Sequence, residues 1–258
     1  MMKRFKIVIL FLCISGLLSS ALAQGQILWG PKTPPGQVRS GLYGICYNPT
    51  NDRIYYVNLY FPVIYMASSD SMVDSLGTIP TPYNDTAFVD IAYCNYDNTF
   101  WLISLKTKKV YKINQSGAVL RSFDSPATDY PCGLAWDEAK RTLYISERHQ
   151  SPPQYIYAVD TMGNVLRKMQ HPCNAYLGPR CLAYQPPTYG FPEILLNAYT
   201  FFTSGQALDS AGVVALDPTD CQVIDFFRYK DSNNRDNIRG VEYDPRDGSL
   251  WITHFQYG

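Results

Sequence analysis

The chain contains 258 residues, with 22 lysines and arginines against 22 aspartates and glutamates, so its formal net charge is zero. This balance argues against a nucleic acid or an acidic membrane surface as the partner. Apolar residues make up 46% of the chain and charged residues only 17%, which supports a large buried core and excludes a mainly disordered chain.

Residues 1–23 have the pattern of a secretory signal peptide. A basic segment (residues 3–6) precedes an apolar run (residues 7–18), and Ala21 and Ala23 are the small residues that precede a cleavage site. The alternative is an uncleaved anchor, but the run is shorter than the roughly 20 residues that cross a bilayer. We therefore expect a secreted or periplasmic protein with no membrane span after cleavage.

A short apolar strand recurs five times after residue 40, with an aromatic residue at the fourth place of each copy. Each copy is followed by a polar turn and a second apolar strand. The first strands are GICYNP from Gly44, DIAYCN from Asp90, GLAWDE from Gly133, CLAYQP from Cys181 and GVEYDP from Gly240. The second strands are RIYYVN from Arg53, TFWLIS from Thr99, TLYISE from Thr142, EILLNA from Glu193 and SLWITH from Ser249.

A hairpin follows four of these strand pairs. Its turns (SSDS, NQSG, DTMG and DPTD) are rich in Asn, Asp, Ser and Gly, the residues that favour chain reversal. Four antiparallel strands in about 45 to 50 residues are the size of a β-propeller blade. We therefore predict an all-β propeller, residues 41–258, in which the five aromatic residues pack between neighbouring blades.

The copy from Tyr130, YPCGLAWDEAKRTLYISERHQSPPQYIYAVDTMGNVLRKM, resembles a blade of the NHL, YncE-like and strictosidine-synthase-like propeller superfamily. The resemblance extends from about Leu42 to the C-terminus and implies an architecture more than an activity. The Gly-His signature of WD repeats is absent from the sequence, and the Trp-Asp dipeptide occurs once, at Trp136-Asp137 in a first strand, without repeating.

The fifth copy lacks its hairpin half. The pattern thus predicts about four complete blades and a partial fifth, from a truncated chain or, alternatively, an open arc. The segment 24–40 contains QILWGP from Gln26, which can contribute a closing strand.

Six cysteines follow the signal peptide, and six thiols allow fifteen pairings that the sequence does not resolve. Cys173 and Cys181 form the best candidate disulfide, because Gly178 and Pro179 allow the chain between them to turn back. Buried unpaired thiols are the alternative for Cys46 and Cys94.

In a propeller the starts of the first strands and the ends of the second strands meet at one mouth of the central channel, the default ligand site. The residues at these strand starts and ends are therefore predicted to form a site that can bind a polar or anionic ligand through its arginines. Its members are Arg39, Asn58, Asp90, Arg180, Asn197 and Arg239. Asp90 and Glu147 are the carboxylates suited to a divalent cation, but no metal-binding motif supports one, so no cofactor is expected.

Glu147, His149 and His254 are the candidate catalytic residues, since a histidine and a carboxylate within hydrogen-bond reach can perform acid–base chemistry. The resemblance to streptogramin-lyase-like propellers extends to these residue types but not to a matching motif. The Pro-Asn-Gly metal motif of gluconolactonase-like propellers is represented only by Pro131-Cys132-Gly133, so that metal set does not carry over.

The sequence therefore predicts a secreted or periplasmic propeller that acts as a binding or scaffold module without catalysis. Its partner is expected to be a protein, a glycan or a small polar ligand. The alternative is a hydrolase or lyase, lactonase-like or streptogramin-lyase-like, with its site at the channel mouth.

Overall fold

The computed structural model describes residues 41–70, 75–149, 153–172, 179–188, 191–200, 211–229 and 238–254. In these ranges the chain forms antiparallel strands and one 3-10 turn, Pro82–Asn84, with no α-helix. Blades 1 to 4 are four-stranded sheets whose strands follow one another in chain order, and blade 5 is a two-stranded sheet.

The strands of blades 1 and 2 are β1 (Leu42–Asn48), β2 (Arg53–Asn58), β3 (Val63–Ser68), β4 (Ser75–Pro80), β5 (Phe88–Cys94), β6 (Thr99–Ser104), β7 (Lys109–Ile113) and β8 (Val119–Asp124). Blades 3 to 5 comprise β9 (Tyr130–Asp137), β10 (Thr142–Arg148), β11 (Tyr155–Val159), β12 (Val165–Gln170), β13 (Pro179–Gln185), β14 (Ile194–Thr200), β15 (Ala211–Leu216), β16 (Val223–Tyr229), β17 (Ile238–Tyr243) and β18 (Leu250–His254). The predicted fold class and strand repeats are thus confirmed.

The hairpin turns are held by the side chains that the sequence pattern pointed to. Asn114 Oδ1 accepts the backbone N–H groups of Ser116 and Ala118. Asp160 Oδ1 does the same for Met162 and Asn164 in the next blade. A side chain that satisfies two backbone donors fixes a tight reversal without neighbouring structure.

The first strands of the five blades, β1, β5, β9, β13 and β17, pack side by side around the central axis, and β17 packs against β1. Blade 5 is tied to blade 1 by the Thr253 hydroxyl, which donates to the carbonyl oxygen of Tyr43 at 2.5 Å. Arg246 also pairs with Asp52 at 2.6 Å. The inner strands therefore form a closed ring of five, not the open arc considered from the sequence.

Close approach of the inner strands explains the glycine at the first place in three of the five copies of the repeat. A Cβ at Gly44 would lie 2.2 Å from Oδ1 of Asp90, and one at Gly133 would lie 2.4 Å from the carbonyl oxygen of Arg180. Gly44 and Asp90 are equivalent positions in adjacent blades, and Arg180 precedes the equivalent of Gly133 by one residue, so the inner strands run in the same direction and begin at the same end of the channel.

The aromatic residues of the first strands pack between blades, as predicted. The Trp136 and Trp101 rings of blades 3 and 2 lie 6.1 Å apart. The Tyr184 ring of blade 4 stacks on Tyr144 of blade 3 at 6.0 Å. Trp136 is buried, whereas Tyr184 keeps part of its surface accessible.

Within the described ranges, no two of Cys46, Cys94, Cys132, Cys181 and Cys221 form a disulfide with each other. The Cys181 thiol is buried and contacts the carbonyl oxygen of Val89 at 3.3 Å. Cys173 lies outside the described residues, so the disulfide between Cys173 and Cys181 stays a prediction. Segment 24–40 also lies outside them. Among the helices of the described ranges, none has the length and apolar character of a membrane span.

Candidate functional site

Three arginines converge at the end of the channel where the inner strands begin. Arg180 and Arg239 are the second residues of β13 and β17, and Arg148 is the last residue of β10. The charges of Arg239 and Arg148 both act on Arg180. We call these three residues the arginine mouth. The sequence register identified Arg180 and Arg239 and missed Arg148, which follows the candidate Glu147 directly.

The arginine mouth is buried to an extent unusual for guanidinium groups. Arg180 is 6% exposed and Arg239 is 7% exposed. Burial first, and then the charges of Arg239 and Arg148, lower the pKa of Arg180 from 12.5 to about 9. The folded protein thus holds like charges together in a partly dehydrated position, which costs free energy unless an anion neutralises them.

The guanidinium groups of Arg148 and Arg180 keep unused hydrogen-bonding capacity. In the described part of the chain, Nε of each is buried and has no hydrogen-bond partner, and neither residue pairs with a described carboxylate. Arg148 instead stacks on the Tyr130 ring at 4.9 Å, and Arg239 on the Tyr43 ring at 5.3 Å. Aromatic stacking orients a guanidinium but leaves its N–H groups available to an acceptor.

Asp90, predicted as a ligand-binding or cation-binding residue, accepts hydrogen bonds from backbone N–H groups of three blades. Its side chain is fully buried, and its oxygens accept the backbone N–H groups of Ile91 at 2.9 Å, Leu134 at 2.7 Å and Leu182 at 3.1 Å. Burial raises the pKa of Asp90 well above its usual value, and these N–H groups oppose that shift. Asp90 therefore joins blades 2, 3 and 4 on the axis.

The two asparagines predicted to bind ligand, Asn58 and Asn197, also form hydrogen bonds with backbone groups. Asn58 is buried and its Oδ1 accepts the N–H of Tyr60 at 2.8 Å. The buried Asn197 amide donates to the carbonyl oxygen of Cys181 at 3.0 Å, and its Oδ1 lies 3.0 Å from Nε2 of His171. Asn197 thus supports the chain beside Arg180. Arg39 lies outside the described residues.

Glu147 and His149 do come together, as the catalytic hypothesis requires. Nε2 of His149 lies 3.1 Å from Glu147 Oε2, and Nδ1 lies 3.1 Å from Asp129 Oδ2. Glu147 also accepts the N–H of Thr128 and the Tyr157 hydroxyl, both at 2.7 Å.

Burial raises the pKa of Glu147, but its hydrogen bonds, first that from the Asp129 N–H, outweigh burial and leave the pKa below its usual value. Both ring nitrogens of His149 thus lie within hydrogen-bond distance of a carboxylate. For His254 only the backbone is described; it pairs with Ile238 in blade 5. Within the described ranges, no three His, Cys, Asp or Glu side chains group as metal ligands.

No protein-family model matches the chain, and no curated protein matches its sequence. Solved structures do match. The glutaminyl cyclase of Myxococcus xanthus has a TM-score of 0.61 at 11% identity, with 86% of this chain and 89% of that chain covered. The hydrazine synthase of Kuenenia stuttgartiensis has a TM-score of 0.54 at 16% identity, with 89% of this chain covered.

The alignment with hydrazine synthase covers only 59% of that protein's chain. A third match is a chain of a nidogen/laminin complex, with a TM-score of 0.51 at 14% identity, covering 79% of this chain and 85% of that one. Two of these structures are of enzymes, and the third is of a protein–protein complex. Identities this low show a shared fold, and the fold alone does not assign an activity. What the similarity establishes is the propeller architecture.

Proposed function

We propose that this protein is an exported β-propeller binding module whose ligand is a small anion held at the arginine mouth. The observation that carries the proposal is the buried guanidinium of Arg180, which has an unpartnered Nε among the described residues and two further arginine charges acting on it. The N-terminal signal pattern supports export to the periplasm or the exterior. The repeat pattern from Tyr130 supports membership of the NHL and YncE-like superfamily.

The charge arrangement favours an anion with several oxygens. Guanidinium groups form strong paired hydrogen bonds with carboxylates and phosphates. An anion at the mouth would relieve the repulsion between Arg148, Arg180 and Arg239 and satisfy the buried N–H groups. Inorganic phosphate and citrate are therefore suitable probes.

Isothermal titration calorimetry with phosphate and with citrate tests the proposal. We expect Arg180→Gln to weaken binding by about tenfold or more, because it removes one charged hydrogen-bonding partner. The same change should leave the free energy of unfolding equal or higher, since it removes a repelled buried charge. Affinity should fall as pH rises through about 9, where Arg180 loses its proton.

Arg121→Gln is the matched control, because Arg121 lies on β8 and donates to the Thr161 carbonyl far from the channel. It should bind both anions as the wild type does. Absence of saturable anion binding, or equal affinity in Arg180→Gln and wild type, would contradict the proposal.

A second function, hydrolysis or elimination, is favoured by the contact between Glu147 and His149. Alanine replacement of Glu147, His149 and His254, with lactones and cyclic esters as substrates, tests it. Turnover by the wild type that is lost in these variants would establish an enzyme and refute the non-catalytic proposal.

A further inference from the structure

A cavity of about 40 Å³ lies on the propeller axis, beyond Asp90 and toward the end of the channel where the inner strands finish. Its wall is formed by residues from the second to the fourth places of the first-strand repeat. Because the arginine mouth lies where the same strands begin, the cavity is a separate site. Its lining residues are Tyr47, Ala92, Tyr93, Leu134, Ala135, Trp136, Ala183, Tyr184 and Glu242.

Glu242 supplies the one carboxyl group of this lining. Equivalent places in blades 2, 3 and 4 hold Ala92, Ala135 and Ala183, whose small side chains leave the central space open. Blade 5 alone therefore places an acidic group against the cavity. A carboxyl maintained in such a position is costly to the fold unless it is neutral or paired.

The aromatic part of the wall is oriented by bonds that point away from the axis. The Tyr47 hydroxyl donates to Asp52 at 2.8 Å, and the Tyr184 hydroxyl donates to Glu193 at 2.6 Å. The indole N–H of Trp136 donates to Glu138 at 2.8 Å. The polar tips are thus occupied, and the surface that the lining leaves accessible to the cavity is mostly polar. A carboxylate beside polar surface is a suitable partner for the N–H groups of a small ammonium ion.

We propose that the axial cavity binds a small free primary amine in its ammonium form, with Glu242 as the counter-ion and the polar lining as its further hydrogen-bonding surface. Its volume suits an ammonium group with little attached carbon, because a single water needs about 10–15 Å³ on the same scale. This site is independent of the anion site proposed above, since it shares no residue with the arginine mouth.

The protonation of Glu242 gives the proposal a distinctive signature. Burial first, and then the carboxyl of Asp90, raise the pKa of Glu242 well above its usual value, and a hydrogen bond from the Tyr47 backbone N–H opposes this shift. The other titratable groups acting on it are Asp244, which also raises its pKa, and Cys46, whose own pKa is raised by burial and by Glu242. A cation that requires the ionised carboxylate must therefore release a proton on binding, so its affinity rises with pH.

Calorimetric titration of the whole protein with methylammonium chloride at constant ionic strength tests this site. We expect saturable binding that strengthens between pH 6.5 and 8.5, with proton release detected by a pH electrode in unbuffered solution. Glu242→Gln should weaken binding by about tenfold or more. Glutamine resembles the neutral carboxyl in shape, so this variant is expected to fold.

Asp124→Asn is the matched control, because Asp124 is an exposed acid on β8 that pairs with Lys109. It should bind methylammonium as the wild type does, and so should Arg180→Gln, which separates this test from that of the anion site. Tetramethylammonium and the amide of Nα-acetyl-lysine are size controls that should not bind. Binding of either size control as tightly as methylammonium, no saturable binding, or unchanged affinity in Glu242→Gln would overturn the proposal. If Glu242→Gln fails to fold, Ala183→Leu, which fills the cavity, should abolish binding, and retained binding would overturn it.

Discussion

The Ser146 hydroxyl donates to the carbonyl oxygen of Arg180 across 2.7 Å, and both groups are buried. Ser146 belongs to β10 of blade 3 and Arg180 to β13 of blade 4, so this bond fixes the distance between two blades at the point where a charged side chain enters the channel. Thr253 occupies the equivalent place in blade 5 and makes the corresponding bond to Tyr43 of blade 1.

Ser146→Ala should lower the free energy of unfolding by about 1–2 kcal/mol, because a buried carbonyl loses its shortest described hydrogen bond. The Asn197 amide, 3.4 Å from the same oxygen, compensates only in part. Urea denaturation measures the change. Ser122→Ala, at an exposed place on β8, should remain within about 0.5 kcal/mol of wild type. Equal stability of the two variants would show that the bond does not hold the blades together.

Asp90→Asn should destabilise the protein by about 3 kcal/mol. Asp90 Oδ1 accepts the N–H of Ile91, and Oδ2 accepts those of Leu134 and Leu182. Either orientation of an asparagine amide would place its NH2 group against at least one of these donors. Thermal unfolding compared with Asp124→Asn provides the measurement, and a loss no greater than that of Asp124→Asn would contradict the role assigned to Asp90.

Acid should destabilise the fold through His171. This residue is fully buried, and burial lowers its pKa from 6.5 to about 4, although the hydrogen bond with Asn197 opposes the shift. Between these two pH values the unfolded chain binds a proton that the folded chain does not, so stability falls as pH falls. The shift corresponds to about 3 kcal/mol.

Replacing His171 by glutamine isolates its contribution to the pH dependence of stability. Urea denaturation of wild type and His171→Gln at several pH values from 6.5 to 4 should show the stability difference between them shrinking toward acid. A difference that stays constant with pH would mean that His171 does not titrate as the structure requires.

The sequence predicted the blades because each strand pair and turn repeats a local pattern. The same register predicted that Arg180 and Arg239 lie at first-strand starts. It placed Asp90 at a first-strand start but did not predict its hydrogen bond with Leu182, which is 92 residues away and belongs to another blade. Contacts of this kind depend on the curvature of the ring, which a repeat pattern does not specify.

The sequence pattern did not identify Arg148 or Glu242 as site residues, for two different physical reasons. Arg148 ends a second strand, where a polar residue is also typical of a solvated loop. Glu242 replaces an alanine of the repeat, and this departure was the available signal. The axial cavity itself depends on how closely the five inner strands approach, and no residue pattern encodes that distance.

Closure of the ring by Arg246 and Thr253 against blade 1 has a consequence for synthesis on the ribosome. The bond between Arg246 and Asp52 joins residues 194 positions apart. Blade 1 therefore cannot pack against blade 5 until nearly all of the described chain has been synthesised. Such non-local pairing slows folding and leaves an early blade edge open to wrong partners. Nascent chains that stop before Arg239 should therefore lack both a complete mouth and resistance to proteolysis.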